Sequence, residues 1–227
     1  MNLIEVKNIT KAYESGESKT EALRGVSFNI ASGEFAAIMG PSGSGKSTLL
    51  HILGFLEHPT SGEYNFNEKS IDKYSEDELA KVRNGKMGFV FQAFNLLSRA
   101  SVYENVKLPL MYSAVPEQEW DTRINEAIEA VGLSHRASHE PAQLSGGEKQ
   151  RAAIARSLVL KPDVIFADEP TGNLDTKNSE IIVGLLDDLN KKFKHTIILI
   201  THEDFIARRA KRLIYIKDGL IERDEKV

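Results

Sequence analysis

The spacing of apolar residues changes several times along the chain, and each change predicts an element. Residues 3–10 and 22–30 alternate apolar and polar positions, which predicts an antiparallel pair of strands at a sheet edge, with residues 14–18 turning between them. The unbroken apolar run at 35–39 predicts a buried strand, and Leu49, Leu50, Ile52 and Leu53 predict a helix over 47–53. Residues 59–63 (Pro-Thr-Ser-Gly-Glu) predict a turn. Ser75, with Glu78 three residues on, predicts a capped helix over 75–82, and 87–91 a further strand. From 102 to about 131 the spacing is helical, with breaks at Pro109 and Pro116. A long helix follows over 147–160, on Ala152, Ala153, Ile154, Ala155 and Leu158. Two nearly continuous apolar strands, 163–167 and 196–200, then flank a helix whose face is Ile181, Ile182, Leu185, Leu186 and Leu189.

Strands that apolar, alternating with helices, predict an α/β fold with a parallel sheet buried on both sides. The segment between Gln92 and Gly146 reads as a helical lobe of its own. Composition adds exclusions. Of 227 residues, 41% are hydrophobic and 27% charged, an ordinary globular balance. The net charge of −4 supplies no basic field, so no nucleic-acid partner is expected. The absence of cysteine rules out disulfides and thiolate metal sites. The longest charge-free run, 87–98, is too short to cross a bilayer as a helix, and residues 2–7 lack the apolar stretch of a signal peptide. Any service to a membrane is therefore expected from the aqueous side, through a separate partner.

The chemistry begins between the 35–39 strand and the helix after it. Gly40-Pro41-Ser42-Gly43-Ser44-Gly45-Lys46-Ser47-Thr48 has the spacing of a loop that binds phosphate, which points to a nucleoside triphosphate with Mg²⁺. The glycines let successive backbone N–H groups face one point, where the helix N-terminus adds partial positive charge. Lys46 is expected to reach the terminal phosphates and the Ser47 hydroxyl to ligate Mg²⁺. Asp168 and Glu169 end the second apolar strand pair's first member. Beside a phosphate loop, Asp168 is placed to hold Mg²⁺ and Glu169 to polarise an attacking water. Leu144-Ser145-Gly146-Gly147-Glu148 opens the long helix; read locally it is either an ordinary Ser cap or a second grip for phosphate, and local physics favours the cap.

These motifs together resemble the ATP-binding cassette (ABC) ATPases over essentially the whole chain. The resemblance makes Ser145, Gly146, Gly147 and Glu148 the family's signature, Gln92 its Q-loop glutamine, Asn173-Leu174-Asp175 its D-loop and His202 its switch histidine. It implies that Tyr13 stacks on adenine, that Gln92 offers an oxygen to Mg²⁺ or the attacking water, and that His202 hydrogen-bonds the γ-phosphate. It also implies a fold: a P-loop NTPase core with a mixed, mainly parallel sheet, an N-terminal antiparallel β subdomain and a helical subdomain. In that division the whole chain, 1–227, is one cassette, about 1–92 and 147–227 forming the core and about 93–146 the helical part. Nucleotide is then sandwiched between two copies, the phosphate loop of one facing Ser145 of the other. Two departures stand out. Glu148 replaces the commoner Gln, and Gly172-Asn173 replaces the commoner Ser-Ala of the D-loop.

Three stretches narrow the resemblance: Gly88-Phe89-Val90-Phe91-Gln92-Ala93-Phe94-Asn95-Leu96-Leu97, Glu104-Asn105-Val106-Lys107-Leu108-Pro109-Leu110, and Ala167 through Asp175. They are similar to the lipoprotein-releasing (LolD), macrolide-exporting (MacB) and cell-division (FtsE) ATPases. This implies a peripheral ATPase on the cytoplasmic face of the inner membrane, driving a permease of FtsX/MacB type. Since the sequence ends at Val227 the permease is expected as a separate chain, with residues 93–110 as its contact. Two other readings stand beside transport: an FtsE-like ATPase that signals across the membrane without moving a substrate, and a soluble ABC ATPase.

Overall fold

In a computed structural model, which describes residues 1–16 and 18–227, the elements run in the order β1 (Asn2–Ser15), β2 (Ser18–Ala31), β3 (Phe35–Met39), α1 (Lys46–Leu53), β4 (Ser61–Phe66), β5 (Lys69–Ser70), α2 (Glu76–Lys86), β6 (Met87–Phe91), α3 (Val102–Met111), α4 (Trp120–Ala130), α5 (Gly146–Leu158), β7 (Val164–Asp168), α6 (Thr176–Phe193), β8 (Thr196–Ile200), α7 (Asp204–Ala207), β9 (Arg212–Lys217) and β10 (Leu220–Lys226). Of the turn expected at 14–18, Glu17 lies outside the described residues.

Two sheets organise the chain. One has the order β2-β1-β4-β5 and is antiparallel throughout. The other has the order β10-β9-β3-β8-β7-β6; of its five pairings four are parallel and the β9–β10 hairpin at one edge is antiparallel. Period-2 alternation explains the layering. Phe35, Ala37, Ile165, Ala167, Ile197 and Leu199 face α3, α4, α5 and α6, through Val106, Ile128, Ile154 and Leu186. Ala36, Ile38, Val164, Phe166, Ile198 and Ile200 face α1 and the inner side of the antiparallel sheet, through Leu49, Ile52, Ile4, Val26 and Tyr64. The parallel strands are thus apolar on both faces because both faces are covered. The far strand β10 reads Leu-Ile-Glu-Arg-Asp-Glu-Lys, and all but Ile221 of it is exposed.

Four expectations change. First, β1 is not an edge strand, since it pairs with β2 on one side and β4 on the other. Second, Ser61-Gly62-Glu63 are not a turn but the start of β4. Gly62 sits at φ 100° where a Cβ would come within 2.5 Å of the Asn8 carbonyl, so the glycine serves close strand approach. Third, Pro109 does not break α3 but lies within its last turn, where only one ladder bond is lost before the helix ends at Met111. Fourth, Ile181 faces outward at 43% exposure, and Val183 takes its place in the core of α6.

Candidate functional site

The site forms at the C-terminal ends of the parallel strands. β3 delivers the phosphate loop, β6 delivers Gln92, β7 delivers Asp168 and Glu169, and β8 delivers Thr201 and His202. The register fixes their heights: Phe91 pairs with Asp168, and Asp168 with Ile200. Gln92, Glu169 and Thr201 therefore all leave the sheet at one level.

Backbone crowding shapes the loop. Gly40, at φ 151°, has no room for a Cβ because the Ile216 carbonyl of β9 occupies that space. Gly45, at φ 100°, is closed in the same way by the Ala22 carbonyl of β2. The β9–β10 turn closes over the loop from outside, Gly219 N–H donating to the Ser44 carbonyl at 3.1 Å. Helices α2, α3, α5 and α6 each start with a side chain accepting from a first-turn amide. The N-cap of α1 is Gly45, which has no side chain, so its first-turn amides stay available to an anion.

A cavity of about 260 Å³ opens in front of these amides, lined by Ser42, Gly43, Lys46, Thr48, Glu169 and His202 among others. Lys46 is 7% exposed, and its Nζ donates back to the Pro41 carbonyl at 2.8 Å. Burial lowers its pKa, against Glu169 and Asp168, which raise it. Asp168 is pushed up by burial first and by the Glu169 carboxylate next, with His51 and Lys46 opposing. Glu169 holds φ 43°, a left-handed turn that lets two adjacent carboxylates point in different directions. Its N–H donates to the Ile200 carbonyl at 3.0 Å, and its Oε1 pairs with His202 Nδ1 at 3.1 Å. A carboxylate only accepts, so Nδ1 carries the proton of this pair. His202 is 59% exposed.

The residues suit Mg²⁺, because Ser47, Asp168 and Gln92 offer only hard oxygen donors. Among the described residues no three His, Cys, Asp or Glu side chains cluster as a metal cage.

Other expected site residues lie outside this cavity. Gln92 packs its amide against Gly172, where a Cβ would stand 2.6 Å from Nε2. Tyr13, 40% exposed, donates its hydroxyl to Glu57 Oε2 at 2.7 Å, with Lys11 Nζ bonded to Glu57 at 3.2 Å and lying 5.2 Å from the ring centroid. Burial first, and then Glu57, raise the Tyr13 pKa against a hydrogen bond from Thr48, which places the phenol beside the first turn of α1. Glu57 and Lys11 carried no sequence signal, because their chemistry exists only once β1 crosses the end of α1.

The 145–148 segment is a capping box. Glu148 N–H donates to Ser145 Oγ at 3.3 Å and Glu148 Oε2 accepts from Ser145 N–H at 2.8 Å. Arg136 Nε donates to Glu148 Oε1 at 3.0 Å. The Ser145 backbone amide, then its hydroxyl and Arg136, draw the Glu148 carboxyl down to about 2. The extra acid at 148 is thus neutralised locally. Asp175 caps α6 through Asn178 N–H at 2.8 Å. The D-loop touches the signature closely: Leu174 stands 3.1 Å from any Cβ at Gly146, and Asn178 would collide with one at Gly147. None of these residues lines the phosphate-loop cavity.

Comparison with known proteins follows the same lines. A family model described as "ABC transporter" matches residues 23–172. The macrolide export ATP-binding/permease protein MacB of Chlorobaculum tepidum is 54% identical over 99% of this chain, which spans 34% of that longer protein. The uncharacterised ABC transporter ATP-binding protein YvrO of Bacillus subtilis is 48% identical, with 99% of this chain and 97% of that one covered. Among solved structures, the cassette MJ0796 of Methanocaldococcus jannaschii, a dimer in a post-hydrolysis state bound to ADP and Pi, superposes with a TM-score of 0.89 at 46% identity, covering 98% of both chains.

Proposed function

Since the chain belongs to the family of ABC transporter ATPases, we propose that two copies of it close around ATP and, on hydrolysis, open again to drive a membrane permease of the lipoprotein-release or macrolide-export type. The observation that carries this reading is the division of the site within one chain. The phosphate loop, Glu169 and His202 share one open cavity, while Ser145 and the two signature glycines stand outside it. A second copy is the natural source of the missing wall, and the relative MJ0796 has been solved as a dimer.

The steps follow from the side chains. The open amides of α1 and the glycine loop receive the phosphates, and Lys46 turns from the Pro41 carbonyl to the terminal phosphate. Ser47, Asp168 and Gln92 would hold Mg²⁺ in part, and that ion would supply charge neutralisation at the phosphates. Glu169 keeps one oxygen on His202 and has the other free to take a proton from water. With Nδ1–H held by Glu169, His202 can donate Nε2–H to the phosphate in its imidazolium form. Across the interface, Ser145 accepts from Glu148 N–H and can donate to a phosphate by turning its hydroxyl proton away from the Glu148 carboxylate.

For the permease contact we propose the groove of about 590 Å³ lined by Leu56, Arg83, Phe89, Phe91, Pro109 and Tyr112. Tyr112 is 78% exposed at its rim, with Leu56, Leu97 and Met111 also exposed. The buried Asn105 amide braces the loop carrying Leu97, accepting from Leu97 N–H at 2.8 Å. A permease seated in this groove would hold the protein at the membrane surface; no helix of the described residues is long and apolar enough to cross a membrane. ATPase stimulation by a candidate substrate, measured with the permease present, separates transport from signalling.

Ser145→Arg tests the division of the site. The variant is expected to bind ATP as a monomer with unchanged affinity and to form no ATP-dependent dimer in size-exclusion chromatography. Loss of ATP binding by the monomer would contradict a role across the interface. Tyr13→Ala tests the base contact. Stacking of a base on an aromatic ring contributes ~1–3 kcal/mol, so ATP affinity by calorimetry should fall at least about fivefold. An unchanged affinity removes Tyr13 from the nucleotide site.

A further inference from the structure

The two D-loop positions that depart from the family pattern, Gly172 and Asn173, both meet Gln92. Asn173 Nδ2 donates to the Gln92 main-chain oxygen at 2.9 Å, across 81 residues of sequence. Gly172 leaves the space in which the Gln92 amide lies, since a Cβ there would stand 2.6 Å from Nε2. Around them, every carbonyl from Phe91 to Asn95 accepts a hydrogen bond. Gln150 of α5 donates to Phe91, Asn173 to Gln92, the Asn95 amide to Ala93, and Arg156 of α5 to Phe94 and Asn95. Phe94 and Asn95 are both left-handed, at φ 61° and 50°, a backbone that side chains tolerate only when it is held. The signature helix therefore grips the loop on both sides of Gln92, and the D-loop's Asn173 grips Gln92 itself. Leu174 of the D-loop and Asn178 at the start of α6 lie against the signature, leaving no room for a Cβ at Gly147 and little at Gly146.

We propose that Asn173, with the room left at Gly172, is the positioning residue that holds Gln92 in register with Glu169 and ties that register to the signature of the same chain. This rests on reading Gln92 as a residue of the hydrolytic site. Asn173 and Gln92 are both exposed, so their bond contributes little to folding, and its loss is read in turnover. One consequence is mechanical. The loop that borders the proposed permease groove, through Phe91 and Asn95, is pegged to the segment that contacts the signature, so a push in the groove reaches Gln92 and Ser145 together.

Two neighbouring substitutions and one isostere test this in the full chain. Asn173→Ala removes the donor, and Asn173→Asp keeps the shape but offers only acceptors to a carbonyl. Gly172→Ala pushes the amide aside; Gly172 is not left-handed and the displaced atom is the far end of a flexible side chain, so the fold should accept it. Each is expected to lower kcat for ATP about three- to tenfold, the range of one hydrogen bond, with KM within about twofold and Tm unchanged. Hydrogen exchange should rise at residues 92–95 and stay constant in α6. Gln92→Ala serves as the reference, and adding Asn173→Ala to it should cost nothing further. If Gln92→Ala leaves kcat unchanged, the reading of Gln92 falls. If Gln92→Ala is slow while all three other variants turn over normally, or if the Asn173→Ala loss adds in full to that of Gln92→Ala, positioning by Asn173 is overturned.

Discussion

Glu169→Gln is expected to bind ATP normally, to lower kcat by about 10²- to 10⁴-fold, and to accumulate as a dimer when ATP is added. The substitution keeps the shape of the side chain and its left-handed backbone, which Gln adopts as readily as Glu. What it removes is the group that takes the proton from water. It also removes a negative charge beside Asp168, whose pKa Glu169 helps to raise, so the site becomes less repulsive to phosphate. Binding should therefore be preserved or strengthened while the chemical step fails. If opening follows hydrolysis, closed dimers then persist, because ligand that prefers the closed state holds it until it is consumed. Single-turnover hydrolysis with size-exclusion chromatography checks both halves. A Glu169→Gln protein that turns over at the normal rate would show that another group accepts the proton.

Lys46→Ala is the second large effect, and it falls on binding. Lys46 is nearly buried, and in this structure its ammonium is satisfied by the Pro41 carbonyl within its own loop. Hydrogen bonds that involve a charged group contribute ~1.5–3 kcal/mol each, so losing a phosphate contact should weaken ATP binding by roughly 10- to 150-fold. The loss also leaves Asp168 and Glu169 without the cation that offsets them. Titration calorimetry of the variant, with Tm recorded alongside, separates lost affinity from lost fold. Wild-type affinity in a folded Lys46→Ala protein would contradict the phosphate-loop reading.

How far the sequence carried the fold depends on burial. Strands β3, β7 and β8 are covered on both faces, so their apolar runs stood out, and Ser75 with Glu78 announced a cap that the structure shows as a full capping box. Strand β4 was hidden because only Tyr64 and Phe66 face the core and Gly62 imitates a turn. Ile181 misled for the opposite reason, being apolar at helical spacing yet outside the packed stripe. In the site, the phosphate loop is local and was plain. Local physics gave Ser145 as a cap, and the capping bond to Glu148 N–H is there; a hydroxyl that accepts in a cap can still donate elsewhere. The Tyr13–Glu57 bond and the Gln92–Asn173 bond join residues 44 and 81 positions apart, and no window along the chain contains both ends.

The last strand bears on assembly. A sheet edge offers a row of unpaired N–H and C=O groups to any other strand, and flat apolar edges polymerise. Here β10 carries Glu222, Arg223, Asp224, Glu225 and Lys226 in succession, all of them exposed or nearly so. Stacking β10 of one molecule on β10 of another would strip these charges of their water. The edge therefore discourages growth into extended sheets, and the meeting of two copies is left to the loop-bearing surface, where it can be made and undone by a small ligand.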